Sequence, residues 1–502
     1  MTKFFSLSIL LLATAIAHAA APTGLKCEYL INPIGIDAQH PRLSWQLEAG
    51  VTRALLFRIC VGMDSLEVAK GRGQWLKDIK STQVQLVAYE GATIRPFTKY
   101  YWKVLFLSAP GKWTSSGIAS FETGMMNGGN WKGAWISDTR DIHLKPAALF
   151  RKEFQLQRKV VTARACIACA GLYELTINNK RVGDHRLDPM YTRFDRRTLY
   201  VTYDITHLLQ NGKNCVGVML GNGWYNHQST AVWFFDKAPW RGRPSFCMDI
   251  RIRYSDGSTE TIATGKDWKT TTGPIIFNSI YTGEHYDARL EKSGWNLPGY
   301  ADSTWKEPIF MAAPSMNIVA QSSVPIRITD TLHGSILQRT GDTNAVFAFP
   351  KNIAGIVKLQ VSGKAGTIIG LKHGERLDEK GHVDQSNIDV HYRPTDNTDP
   401  FQTDIYILKG EGTEQFMPRF NYKGFQYVEL SSSAPVQLSD QSLTAYFMHS
   451  DVTPAGRIHS SSELINKVWA AANQSYLSNL YGYPTDCPQR EKNGWTGDAQ
   501  IN

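Results

Sequence analysis

The sequence predicts a mainly β chain, a series of tandem β-sandwiches that gives way to helices near residue 455. Two observations carry this expectation. Short runs that alternate apolar and polar residues recur from about residue 22 to 450, punctuated by Gly, Asn and Pro. A period of two places every second side chain on one face of a strand. After residue 455 the apolar spacing changes to that of a helix, and such a change of period marks a domain boundary. A chain of 502 residues also exceeds one ordinary domain, and its length suggests three or four.

Composition narrows the functional classes. Hydrophobic residues make up 42% and charged residues 20%, which supplies several cores and excludes a disordered chain. The net charge is +9, but the basic residues are scattered. No Lys/Arg block resembles a nucleic-acid arm, and a mildly basic surface suits an acidic polysaccharide or no particular partner. The 14 tryptophans fit sugar-stacking faces or the ordinary cores of β-sandwiches.

Residues 1–20 read as a signal peptide: Lys3, then the apolar run Phe4 to Ile16, then the small-x-small pattern Ala17-His18-Ala19. That run is too short for a membrane span, and no later stretch qualifies, so the mature protein is expected to be exported, periplasmic or extracellular. Cys27 lacks a preceding Leu-x-small triplet, which argues against lipid anchoring. The seven cysteines form an odd set in which Cys27 with Cys60, or Cys215 with Cys247, are candidate pairs. Cys166 and Cys169 form a lone C-x-x-C on an expected strand, where three-residue spacing puts them on opposite faces. They read as small core residues rather than metal ligands.

Residues 22–125 hold the runs Pro41 to Leu47, Leu56 to Val61, and Ile94 to Val104, which suggest an Ig-like sandwich. Pro96-Phe97-Thr98-Lys99-Tyr100-Tyr101-Trp102-Lys103-Val104 resembles a late strand of a fibronectin type III domain, with its corner tyrosine. The Gly/Asn-rich join Met125 to Trp131 leads to a second β region, 135–325. There Asn178-Asn179 is a hairpin signal between alternating runs, and Gly221-Asn222-Gly223-Trp224-Tyr225 and Gly283 to Arg289 follow. A third β region spans 328–450. Inside it, the polar stretch Asp378 to Pro400 is expected to be a long loop able to reach toward a site, although such insertions are often neutral. The final region, 455–502, opens with Ser460-Ser461-Ser462-Glu463, read as a capping box. Leu464, Ile465, Val468, Trp469, Ala472 and Leu477 then follow at helical spacing.

Beyond that helix lies Tyr483-Pro484-Thr485-Asp486-Cys487-Pro488-Gln489-Arg490-Glu491-Lys492-Asn493-Gly494-Trp495-Thr496-Gly497-Asp498-Ala499-Gln500. The prolines and glycines break any regular element. Carboxylates supply acid/base groups and bind hydroxyls, and Trp offers a stacking face, so the loop suits a saccharide. By composition alone it reads more readily as a solvated turn.

The string from Asp486 to Gln500 resembles the signature of glycoside hydrolase family 78, the bacterial α-L-rhamnosidases, and the order of the upstream domains resembles that family as well. The resemblance implies a fibronectin-like domain, an N-terminal rhamnosidase sandwich related to carbohydrate-binding modules (135–325), and a second rhamnosidase sandwich (328–450). Residues 455–502 would begin an (α/α)₆ six-hairpin barrel. It implies hydrolysis of terminal α-L-rhamnose with inversion, Glu491 as general acid, and Asp486, Arg490, Trp495 and Asp498 lining the sugar pocket. No cofactor is required, calcium is allowed in the first rhamnosidase sandwich, and the partner is a rhamnose-containing glycan or glycoside.

Glycoside cleavage needs a protonated carboxyl at the leaving oxygen. Neighbouring carboxylates and an apolar wall help a carboxyl keep its proton, whereas Arg490 opposes this unless it faces the sugar or one of the Asp residues. The family's water-activating Glu lies downstream of this motif and is assigned to no residue of 1–502. Twelve helices need roughly 200 residues, so the chain is expected to stop inside the barrel and to be inactive alone. A reading of another class is a multi-sandwich carbohydrate-binding protein without catalysis, complete at residue 502. The next stretch of the reading frame separates the two.

Overall fold

A computed structural model describes residues 21–47, 56–80, 84–109, 112–229, 232–392 and 398–501. The expected signal peptide, 1–20, lies outside the described residues. The chain divides into two compact units, Met1–Thr123 and Gly124–Asn502.

The first unit pairs a three-stranded sheet with a six-stranded one built around Leu56–Gly62 and Lys99–Ala109. Alternation drives Trp45, Phe57, Trp102, Phe106 and Phe121 inward. Phe57 packs between Trp45 and Phe106, with centroids 5.4 and 5.3 Å away. The corner tyrosine forms as expected: Tyr100 is buried, and its hydroxyl accepts the Arg95 backbone N–H at 2.9 Å.

In the second unit, a seven-stranded and a five-stranded sheet enclose a core that includes Phe150, Ile167, Phe246 and Trp268. Cys169 lies in this core, whereas Cys166 faces the other way, its sulfur 3.5 Å from the Thr202 hydroxyl. Opposite faces of the strand Val160–Ala170 therefore take the two thiols. All seven cysteines are free and buried, so neither candidate disulfide forms. Cys215 sits under the Arg151 guanidinium on the five-stranded sheet, and Cys247 points to the Gly133 carbonyl from the seven-stranded one. Asn178 and Asn179 adopt φ of 51° and 65° and set Ile177 opposite Lys180. That is the left-handed pair a tight hairpin requires.

The third β region builds an eleven-stranded sheet around the 20-residue strand Asn344–Gly363. A register break between Ala348 and Ile353 splits its pairing with Lys423–Ser432, and only the second half also pairs with Leu443–Ser450. This sheet takes in a hairpin from the preceding region. Glu284–Asp287 pairs with Ile275–Asn278 on one side and runs parallel to Thr403–Ile407 on the other. Gly283 permits the close approach, because a Cβ there would stand 2.0 Å from the Thr403 carbonyl oxygen. Under this seam the fully buried Lys423 ammonium donates to Asp404 at 2.7 Å, and Asp404 also accepts the Glu284 backbone N–H at 2.8 Å.

The long helix spans Glu463–Ser478, and the expected capping box does not form. The helix begins at Glu463, which puts that residue in its first position, where its side chain does not reach back over the cap. Ser462 is the N-cap and makes no side-chain cap bond. Asn466 instead closes onto Ser460 through two hydrogen bonds of 2.8 and 2.9 Å. Leu464, Ile465 and Val468 are exposed. No helix among the described residues is long and apolar enough to cross a membrane.

Candidate functional site

The motif loop folds back on itself. Thr485 bridges Gly494, the Asp486 N–H donates to the Asn493 carbonyl at 3.2 Å, and the Trp495 N–H donates to Pro484 at 3.1 Å. This U-turn brings the two ends of the motif together. Asp486 accepts the Asn493 N–H at 3.3 Å and the Cys487 thiol at 2.7 Å. Burial and the neighbouring Asp486 push the Cys487 thiol up, so it stays protonated and donates. The exposed Arg490 also bonds Cys487. Asp486 and Arg490 are therefore linked through a buried thiol.

Lys492 anchors the loop. It is 1% exposed, its Nζ donates to the Ile280 and Tyr422 carbonyls, and it lies 4.3 Å above the Tyr422 ring. Burial, helped by the positive charge of Lys423, lowers its pKa well below the usual lysine value. Its backbone adopts a left-handed φ of 55°, a conformation that persists only where the surroundings over-determine it. Tyr281 adds a second tie, its hydroxyl donating to the Arg490 carbonyl at 2.7 Å. Tyr422 stacks on Tyr481 with centroids 3.7 Å apart. The loop is thus seated on the seam where the two sandwiches of this unit meet.

Glu491 presents its side chain to the polar loop that carries His391. Its side chain is 20% exposed, and one carboxyl oxygen lies 3.4 Å from His391 Nε2. The other oxygen is buried and has no hydrogen-bond partner among the described residues. His391 comes from the polar loop expected over Asp378 to Pro400, and that loop does reach the site. Gln385 fastens it to the His373 and Phe401 carbonyls at 2.8 and 3.1 Å, and Tyr392 stacks on Phe401. Trp495 is 44% exposed, with its ring 6.2 Å from that of Trp233. Asp498 falls in the helix Thr496–Ile501, and its side chain lies outside the described residues.

The structure therefore gathers Asp486, Arg490, Glu491 and Trp495 on one folded loop. Sequence reading missed His391, Trp233, Tyr281 and the anchoring role of Lys492. The only local signal was the polar stretch that carries His391. Among the described residues, no group of three or more His, Cys, Asp or Glu side chains is placed to hold a metal ion.

Such a loop offers a carboxyl with one free oxygen, a second carboxylate, a cation and an indole face, a set suited to holding and protonating a polyhydroxylated substrate. Comparison with known proteins points the same way. Residues 22–127 match a Rha78A-like N-terminal immunoglobulin domain and 158–330 an α-L-rhamnosidase N-terminal domain. Residues 338–449 match a bacterial α-L-rhamnosidase concanavalin-like domain, and 453–502 a bacterial α-L-rhamnosidase six-hairpin glycosidase domain. An α-L-rhamnosidase of Formosa agariphila is 31% identical over 94% of this chain and 52% of its own length. One from Alteromonas sp. is 30% identical over 96% of this chain and 53% of its own length. The structure of an α-L-rhamnosidase from Dictyoglumus thermophilum superposes with a TM-score of 0.86 at 34% identity, covering 96% of this chain and 55% of that one. The chain spans about half the length of the curated relatives it matches.

Proposed function

Because the chain belongs to the bacterial α-L-rhamnosidase family, glycoside hydrolase family 78, we propose that it forms the general-acid side of a site that hydrolyses terminal α-L-rhamnose from glycans or glycosides. The observation that carries this reading is Glu491: a carboxyl with one oxygen buried and without a hydrogen-bond partner among the described residues, on a loop that also presents Asp486, Arg490 and Trp495. In this role Glu491 protonates the leaving oxygen, and Asp486, Arg490, Trp495 and Asp498 hold the sugar. The reaction inverts configuration, with a water activated by a second carboxylate across the scissile bond. No residue of 1–502 is assigned to that base. Residues 21–502 expressed alone are accordingly expected to be inactive, and the exposed Leu464, Ile465 and Val468 suit packing against further helices. The run Phe4 to Ile16 serves as an export signal.

The test uses the full-length gene product and an aryl α-L-rhamnoside. Proton NMR of the first product is expected to show β-L-rhamnose before mutarotation. Release of the α-anomer first would overturn the inverting assignment, and absence of any rhamnose release would overturn the activity.

A further inference from the structure

We propose that Trp233 and Phe234, at the tip of a loop from the first rhamnosidase sandwich, form the stacking platform for the ring that carries the leaving oxygen. This deepens the proposed activity and rests on it. The two aromatics are 44% and 62% exposed, although neighbouring apolar rings of the same loop are packed away. Phe235, for example, contacts Trp224, Trp240 and Tyr191, with centroids 5.2, 5.9 and 5.9 Å distant. Burial therefore claims the base of the loop and leaves its tip exposed to solvent, with the Lys237 ammonium 5.6 Å from the centre of the Phe234 ring.

The base is braced. The Gly242 N–H donates to the Tyr225 carbonyl at 3.4 Å, Arg241 to Asn226 at 3.0 Å, and Arg243 grips Asp138 through two bonds of 2.9 and 2.8 Å. Compact loops with closed ends and exposed tips of this kind are frequently functional. At the tip, Trp233 and Phe234 hold φ of 70° and 52°, a left-handed pair that bulky residues rarely adopt.

The occupant follows from the neighbour. Trp233 lies against Trp495, its ring centroid 6.2 Å away with planes at 53°, and Trp495 shares the motif loop with Glu491. A general acid delivers its proton to the leaving oxygen, so the ring bearing that oxygen lies on Glu491's side of the scissile bond, and Glu491 belongs to the loop whose Trp495 meets Trp233. Aromatic faces hold such rings through C–H or π contact, and a pyranose or an aryl leaving group supplies either.

In the full-length protein, Trp233→Ala and Trp233→Phe are compared with wild type on three substrates: α-L-rhamnosyl fluoride, which has no leaving-group ring, an aryl α-L-rhamnoside, and a rhamnosyl-glucose disaccharide. Trp233→Ala is expected to lower kcat/KM for at least one ring-bearing substrate roughly three- to tenfold relative to the fluoride, with Trp233→Phe restoring most of it. The arm that falls further identifies an aryl or a sugar ring as the better occupant. Equal losses on all three substrates would show that Trp233 merely props Trp495, and no loss would show an unused surface; either overturns the platform alone. A wild-type protein inactive on all three overturns the proposed activity, and the platform with it.

Discussion

Glu491 has one oxygen near a histidine and one with no hydrogen-bond partner among the described residues, an arrangement that leaves room for a substrate atom. If this carboxyl delivers a proton, Glu491→Gln in the full-length protein should lower the rate about 10²–10⁴-fold on a glycoside with a poor leaving group. A dinitrophenyl rhamnoside, whose leaving group needs no proton, should lose far less. Equal losses on both would make Glu491 a binding residue. Lys492, directly after it, cannot take this part: it is fully buried and spends its donors on two carbonyls that come from separate segments of the chain, one of them 212 residues upstream.

The motif loop depends on the strand beneath it. Gly424 is the second residue of the strand Lys423–Ser432 under the loop, and a Cβ there would stand 2.8 Å from Pro488 Cγ and 3.4 Å from its Cβ. A proline ring cannot swing aside, and Gln402 holds Gly424 in place through two bonds of 3.1 and 3.2 Å. The strain of Gly424→Ala therefore falls on the loop. Small displacements of catalytic groups are costly, so kcat/KM should drop roughly tenfold while the β-sheet circular dichroism of the variant stays native. An unchanged kcat/KM would show that the loop adapts without moving Glu491. Much of the element pattern was legible in advance, including the Asn178-Asn179 hairpin, the split faces of Cys166 and Cys169, and the Tyr100 corner, because each depends on a few adjacent residues. The capping box was misread because Ser460-Ser461-Ser462 offers three serines, and the hydrogen bonds of Asn466, not Glu463, settle where the helix starts.

Across the second unit as a whole, buried titratable groups set a pH dependence. Burial lowers His227 to about 3, His285 to about 4 and His373 to about 3, from an unperturbed 6.5. The folded protein keeps these rings neutral while the unfolded chain protonates them below pH 6.5, so acidification removes stability progressively from there down toward 3–4. Each ring contributes at most roughly 3–5 kcal/mol. Glu284 works oppositely: burial raises it to about 7 from 4.5, so the folded state retains a proton that the unfolded chain loses, and stability falls as pH rises between those values. Three protons outweigh one, and the urea midpoint should fall as pH drops from 7 to 4.5. His373→Asn should flatten part of that fall. A midpoint that stays constant or rises on acidification would contradict neutral buried histidines.

Short-range pattern was enough to announce a run of β-sandwiches, the change to helix near residue 455, and the loop from Asp486 to Asp498 with its chemistry, because alternation, turn residues and the motif are all local in the chain. The placement of that loop was not local. His391, Trp233, Tyr281 and the carbonyls that hold Lys492 arrive from distant segments, and the hairpin Ile275–Asn278/Glu284–Asp287 crosses from one β region into the sheet of the next. Packing of the two sandwiches brings these groups together: strand pairing and burial between remote segments create the seam, and the seam alone converts a charged turn into a seated, partly buried site.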